Sequence, residues 1–106
     1  MIVISRFRTA GEDEAALRAQ LEEALEALSA QKGYVAGHVG RNVDDPALWL
    51  LQTEWQGAGS YRRALSAYDV KVRAWTLLGQ AIDEPSAYEI VRPGEEPNRP
   101  EPRETP

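Results

Sequence analysis

The sequence predicts an α+β fold of the ferredoxin-like type, in which the elements follow the order βαββαβ and form one antiparallel sheet. Two observations lead to this prediction. Along the chain, the spacing of apolar residues changes twice from alternating to helical, which indicates two helical regions between strands. In addition, the first and third predicted strands are apolar on both faces, and these two strands occupy the centre of the sheet in this topology.

The first predicted strand covers residues 2–7. Ile2 and Ile4 point to one face, and Val3, Ser5 and Phe7 point to the other. Because both faces carry apolar side chains, we expect this strand to be covered on two sides.

The third predicted strand lies in the stretch PALWLLQTEW, residues 46–55, and has the same two-sided character. One face carries Leu48, Leu50, Gln52 and Glu54, and the other carries Trp49, Leu51, Thr53 and Trp55. The second of these sets is the more apolar, so we assign it to the side under the helices, together with Val3, Ser5 and Phe7. Arg6, Gln52 and Glu54 then belong to the opposite side.

The first helix is predicted from residue 12 to about residue 30, because leucines recur there at helical spacing and Lys32-Gly33 provides a stop. The expected buried stripe consists of Leu17, Leu21, Leu25 and Leu28. The simplest interpretation is a helix laid on one face of the sheet.

The second predicted strand covers residues 34–42, which alternate only weakly and include Gly37 and Gly40. This composition is typical of a short edge strand. The turn NVDDP follows, so the second and third strands form a hairpin.

The second helical region follows Gly57 and ends before Pro85. Ser66 and Asp69 resemble a capping box, which predicts two helical pieces broken near Ala67. The expected inner stripe consists of Tyr61, Leu65, Tyr68, Val72, Trp75, Leu78 and Ile82. The last predicted strand covers residues 87–91.

We expect one domain, residues 1–92, followed by a disordered tail, residues 93–106. The stretch RPGEEPNRPEPRETP holds five of the seven prolines in the 106-residue chain and has no apolar side chain to bury. We expect no membrane association, because no apolar run approaches membrane-spanning length and the amino terminus lacks the features of a secretory signal.

Composition excludes several classes of function. The chain has no cysteine, which excludes disulfides and thiol chemistry and favours a reducing, cytoplasmic location. The net charge of −5 and the absence of a basic cluster argue against nucleic-acid binding. A single histidine without cysteine argues against a structural zinc site. The motifs of a phosphate loop, a dinucleotide fold and a metal site are also absent, so we expect no metal and no cofactor.

The predicted helices cover only one face of the sheet, although its central strands are apolar on both. A monomer rarely exposes a flat apolar patch of that kind. A homodimer that pairs the sheet faces of two copies is the simpler expectation.

Residues 32–72, KGYVAGHVGRNVDDPALWLLQTEWQGAGSYRRALSAYDVKV, resemble the antibiotic biosynthesis monooxygenase family of dimeric α+β barrels. The likeness consists of a Gly-aromatic start to the second strand, an Asp-Asp-Pro turn, and a third strand that ends in Glu-Trp before a short loop and a helix. In outline the family pattern covers residues 1–91. The resemblance implies a homodimer whose two sheets close into a barrel.

The resemblance also implies an activity, which is oxidation of an aromatic or quinol-like substrate by molecular oxygen without metal or flavin. The pocket of such proteins lies between sheet and helices. Heme-degrading relatives use an Asn on the first strand and a Trp and a His in the second helical region. The corresponding positions here are Ser5, Ala64, and Ala74 or Trp75. None of these positions keeps the residue that the heme-degrading relatives use, which argues against heme degradation.

His38 and Ser5 are the candidate catalytic residues. Histidine is the residue type that accepts protons near neutral pH, and a pocket-facing His38 would take the proton of a phenol or quinol. The face that His38 occupies depends on the hairpin register, because a slip of one residue reverses it. An edge histidine without a catalytic role is the alternative.

The candidate substrate-binding residues are aromatic or lie on the inner face: Phe7, Trp49, Thr53, Tyr61, Tyr68 and Trp75. They could line a cavity for a flat apolar ligand or could pack together as core. Arg6 and Glu54 are expected to form a cross-strand ion pair. Arg62 and Arg63 are expected on a solvated helix face.

The resemblance therefore implies a cofactor-independent monooxygenase that acts on a small aromatic or quinol-like substrate. One alternative is a non-catalytic, small-molecule-binding or regulatory homodimer of the same fold, which would gain thermal stability from ligand without making product. Another is a purely structural dimerisation module, whose tryptophans would fill the pocket.

Overall fold

The computed structural model describes residues 1–97. Its elements, in chain order, are β1 (Ile2–Arg8), a 3-10 turn (Gly11–Asp13), α1 (Glu14–Ser29), β2 (Tyr34–Arg41), β3 (Leu48–Trp55), α2 (Ala58–Ser66), α3 (Tyr68–Leu78) and β4 (Ala87–Tyr88). The predicted βαββαβ order is confirmed, with the second helical region in two pieces. Residues 98–106 of the predicted tail lie outside the described residues.

The four strands form one antiparallel sheet in the order β2-β3-β1-β4, so β1 and β3 are central as predicted. β4 is shorter than the predicted strand over residues 87–91. Its register pairs Tyr88 with Ile2, the first residue of β1, so residues beyond Tyr88 have no further β1 residue to pair with. Ile90 and Val91 are accordingly exposed.

The core lies between one face of the sheet and the three helices. The inner-face side chains of β1 and β3 are buried there, as predicted, and they pack with Leu21, Ala24 and Leu28 of α1. The predicted leucine stripe of α1 is largely confirmed, with Leu25 at the margin of the core.

Gly33 ends the connection between α1 and β2 in a conformation that favours glycine. Its φ of +91° lies in the left-handed region, and a Cβ at this position would overlap the side chain of Ser60 in α2. The close approach of Gly33 to Ser60 therefore leaves no room for a side chain between this connection and α2.

The predicted break between the two helical pieces is confirmed at Ala67, whose ψ of 137° is extended. The predicted capping box is wrong. The Ser66 hydroxyl donates back to the carbonyl of Arg62, at 3.2 Å, and Asp69 accepts a hydrogen bond from Arg73.

The predicted inner stripe of the second helical region is wrong for three residues of α3, whereas Leu78 packs against the core as predicted. The buried residues of α3 are Val70, Ala74 and Leu77, whereas Tyr68, Val72 and Trp75 are 82%, 64% and 51% exposed. The prediction carried one helical phase through the whole region. Because the extended residue at Ala67 interrupts the helix, the phase starts again in α3.

The second face of the sheet carries none of the three helices. The side chains of β1 and β3 on this face are half-buried, and they include Ile2, Ile4, Leu48 and Leu50. We refer to this surface, formed by the outward side chains of β1, β2 and β3, as the open sheet face. Its apolar central positions match the two-sided strands seen in the sequence.

Candidate functional site

A cavity of about 380 Å³ lies beside the edge of β1, against residues 79–86, which connect α3 to β4. Two backbone hydrogen bonds tie this connection to β1. The amide of Ile4 donates to the carbonyl of Ser86 at 2.7 Å, and the amide of Ile82 donates to the carbonyl of Arg6 at 2.8 Å. If the pairing of Val3 with Ala87 continued regularly, residue 84 would lie opposite Arg6. Ile82 bonds to Arg6 instead, so the regular pairing is lost between these two hydrogen bonds. The irregular connection forms one wall of the cavity.

The walls of the cavity are mixed in character. The polar lining residues are Ser5, Tyr61, Asp83, Glu84 and Ser86, and the apolar ones include Ile4, Leu78, Ala81 and Ile82. The volume and the combination of apolar walls with a few polar groups are typical of small-molecule sites.

Ser5 reaches the cavity from the inner face of β1, where it pairs with Leu51 and is only 9% exposed. Among the described residues, its hydroxyl has no hydrogen-bond partner, although it is not sealed from solvent. The Ser5 hydroxyl can therefore donate to, or accept from, a molecule in the cavity.

Tyr61 reaches the cavity from the first turns of α2. The centre of its ring lies 5.5 Å from that of Trp55, so the tyrosine packs against a buried aromatic residue. Trp55 is itself held in the core, because its Nε1 donates to the Thr53 hydroxyl at 2.8 Å. Burial raises the pKa of the Tyr61 phenol above its ordinary value. Tyr61 consequently stays protonated at neutral pH and can donate a hydrogen bond.

Arg6 and Glu84 form a bidentate ion pair beside the cavity. Nε of Arg6 donates to one carboxylate oxygen of Glu84 and Nη2 donates to the other, both at 2.6 Å. These hydrogen bonds hold the pKa of Glu84 below its usual value. The predicted pair of Arg6 with Glu54 is wrong, because the register places Leu50 opposite Arg6 and Ile2 opposite Glu54.

His38 does not lie at the cavity. It pairs with Gln52 in the register of β2 and β3, which places both side chains on the open sheet face, and it is exposed. The condition for a His38 base, that it faces the pocket between sheet and helices, is therefore not met.

The remaining candidate residues also lie away from the cavity. Phe7 and Thr53 are buried in the core, and Trp49 is buried at the end of the sheet, where it lines a smaller space of about 160 Å³ beside Arg6 and Arg41. Tyr68 and Trp75 do not roof the pocket. They are exposed on α3, and the indole of Trp75 donates to the carbonyl of Leu65.

Sequence reasoning missed the part of the site supplied by Asp83, Glu84 and Ser86. These residues belong to the stretch IDEPSAY, which the sequence presents only as a proline-containing connection after a helix. Two adjacent acids beside a proline were the available signal, but their position depends on where the connection meets β1.

Within residues 1–97, no group of three or more His, Cys, Asp and Glu side chains is arranged to hold a metal ion. The expectation that the protein uses no cofactor stays a prediction.

In the part of the chain that the structure describes, every helix is too short or too polar to cross a membrane. Arg62 and Arg63 are exposed, as predicted for a solvated helix face.

Comparison of sequences identifies one family. The sequence model of the antibiotic biosynthesis monooxygenase family matches residues 1–72, which include β1, α1, the β2-β3 hairpin and the start of the second helical region. No curated protein sequence matches this chain.

Comparison of structures finds the same fold in several solved proteins. A Deinococcus radiodurans protein, provisionally named an antibiotic biosynthesis monooxygenase, superimposes with a TM-score of 0.70 at 22% identity, over 92% of this chain and 95% of that protein. A mutant of SnoaB, a cofactor-independent oxygenase from Streptomyces nogalater, gives 0.66 at 20% identity, over 76% and 82%. Rv0793 from Mycobacterium tuberculosis gives 0.65 at 18% identity, over 92% and 97%. At these identities the likeness shows the fold.

Proposed function

The chain belongs to the antibiotic biosynthesis monooxygenase family, and we propose that it is a monooxygenase that oxidises a small aromatic or quinol-like molecule with O₂ and without a cofactor. The cavity beside Ser5 is the observation that carries this proposal. It has the size of a small-molecule site, and two hydroxyl groups without partners among the described residues open into it from Ser5 and Tyr61.

In this reaction the protein has to bind the substrate and accept a proton from it. An electron-rich phenol supplies the electrons for the reduction of O₂; one oxygen atom enters the ring to give a quinone and the other leaves as water. Loss of the phenol proton makes the ring a better electron donor, so a nearby base promotes the reaction. With His38 on the open sheet face, we assign this role to the Asp83 carboxylate on the cavity wall.

Ser5 and Tyr61 would hold the substrate in place. The Tyr61 phenol remains protonated and donates to a substrate oxygen, while the Ser5 hydroxyl approaches from the floor formed by β1. Ile4, Leu78 and Ile82 supply apolar surface for the ring. Such positioning lowers the barrier by fixing the substrate relative to the proton acceptor.

We further propose that the protein is a homodimer in which two open sheet faces pack together. The supporting observation is the half-buried apolar surface of Ile2, Ile4, Leu48 and Leu50, which no helix of the described residues covers. Ile4 also lines the cavity, so a second copy on this face would lie against one end of the site.

The test is oxygen uptake with naphthols and hydroquinones, with ¹⁸O₂ used to follow one labelled atom into the product. Tyr61→Phe should raise KM more than it lowers kcat, because it removes a binding hydroxyl. Tyr68→Phe is the matched control, since Tyr68 is exposed on α3 and does not line the cavity. Thermal stabilisation by these compounds without oxygen uptake would instead establish the non-catalytic, ligand-binding dimer, which no observation on the described residues favours at present.

A further inference from the structure

The charged groups that line the cavity are all acidic. Asp83 and Glu84 are adjacent in the chain and both contribute to the wall, while the other polar lining residues, Ser5, Tyr61 and Ser86, are neutral. Within the described part of the chain, no lysine, arginine or histidine lines this cavity.

Among residues 1–97, Arg6 is the cation that forms an ion pair with an acid of this wall. Two hydrogen bonds of 2.6 Å commit both its Nε and its Nη2 to Glu84, so the positive charge of Arg6 offsets the negative charge of that residue. Asp83 has no ion-pair partner among residues 1–97. The cavity and its rim therefore carry an excess of one negative charge.

We propose that the acidic wall selects the ligand by charge, so that the cavity accepts uncharged phenols and excludes the same rings when they carry a carboxylate. This inference rests on the proposed function and specifies its substrate class. A phenolic O–H can donate to the Asp83 carboxylate, whereas a ligand carboxylate would meet a like charge and would find no free cation. Specificity by repulsion of this kind needs no additional attractive contact.

The selectivity is set by Asp83 together with the Arg6–Glu84 pair. In Glu84→Gln, the wall loses a carboxylate and the guanidinium of Arg6 is released from its partner, so the local charge rises from one negative to none. Asp83→Asn produces the same change and leaves the ion pair intact. The double variant carries one net positive charge, and it should prefer the carboxylated ligand.

The experiment is calorimetric titration of the full chain, without oxygen so that no turnover occurs. The two probes are hydroquinone and 2,5-dihydroxybenzoate, which share the ring and both hydroxyl groups and differ by one carboxylate. The wild-type protein should bind hydroquinone roughly tenfold more tightly or better, because a like charge at close range in a partly shielded site is strongly unfavourable. In Glu84→Gln and in Asp83→Asn, the affinity ratio should fall toward one.

Glu22→Gln is the matched control, because it makes the same substitution in an Arg–Glu pair, with Arg18 on α1, away from the cavity. It should leave the ratio of the two affinities unchanged.

If the wild-type protein binds both probes equally, charge selection is wrong while the proposed oxidation of phenols still stands. If neither probe binds and no phenol supports oxygen uptake, both the selectivity and the proposed function fail. Asp83→Asn keeps the test decisive should Glu84→Gln fold poorly, since Asp83 is exposed.

Discussion

Trp55 and Thr53 are joined by a hydrogen bond inside the core. Nε1 of Trp55 donates to Oγ1 of Thr53 at 2.8 Å, and both residues are at most 2% exposed. The two side chains lie on the same face of β3, two residues apart, so the strand itself brings the hydroxyl under the indole. This bond satisfies the one polar atom of Trp55, the largest of the fully buried side chains among the described residues.

Thr53→Val should lower the free energy of unfolding by about 1–2 kcal/mol, because it keeps the shape of the side chain but leaves the buried indole N–H unpaired. Chemical denaturation measures the loss. Thr76→Val on α3 is the matched control, since Thr76 is exposed and should change stability by less than about 0.5 kcal/mol. Equal effects of the two substitutions would show that the Trp55 bond contributes nothing.

The register of α3 can be tested with two valines that lie two residues apart. Val70 is fully buried and Val72 is 64% exposed, although the sequence pattern assigned Val72 to the core. Val70→Ala should cost about 2 kcal/mol, since it removes buried apolar groups and leaves a small cavity. Val72→Ala should cost almost nothing. The reverse order in thermal or chemical unfolding would restore the sequence-based register and contradict the structure.

The ion pair of Glu84 predicts a dependence of stability on pH. Because Arg6 lowers the folded-state pKa of Glu84 below its ordinary value, the pair contributes fully above the ordinary glutamate pKa. The contribution is lost as the pH falls through the lowered folded-state pKa. Melting temperatures of the wild-type protein and of Glu84→Gln should differ by a constant amount at neutral pH, and the difference should disappear in acid. A difference that persists unchanged at about pH 3 would rule out this linkage.

Much of the fold follows from the sequence, because the alternation of the strands and the break in the second helical region depend on residues that are close together in the chain. Alternation of side chains in β1 and β3 correctly divides Val3 and Phe7 from Ile2 and Ile4. The break near Ala67 was predicted from the local residues Ser66 and Asp69, although these do not form the capping box. The phase of α3 could not be read in the same way. It depends on the backbone angles at Ala67, where one extended residue turns the next helix by an amount that no spacing rule supplies.

The candidate site was less predictable, because it is assembled by tertiary contacts. Ser5 and Tyr61 were identified from their faces on β1 and α2, and both line the cavity. Asp83 and Glu84 were not, since their place at the wall follows from the hydrogen bonds that tie residues 79–86 to β1. His38 illustrates the limit most clearly. Its face was undetermined until the β2-β3 register paired it with Gln52.

The open sheet face is the surface through which we propose that two copies of the chain pack against each other. Leu50→Lys would place a charge at the middle of the proposed interface, while Val72→Lys would place one on exposed α3 and serves as the control. Apolar interfaces tolerate an unpaired buried charge poorly. The Leu50 variant should therefore dissociate more readily than the wild-type protein, and the Val72 variant should not.

Sedimentation equilibrium at micromolar concentration is the most direct measurement. If two copies pack through this face, the wild-type protein and Val72→Lys should each sediment with twice the mass of the 11.8 kDa chain. Leu50→Lys should sediment with the mass of a single chain. A wild-type protein that sediments as a stable single chain would contradict the dimer.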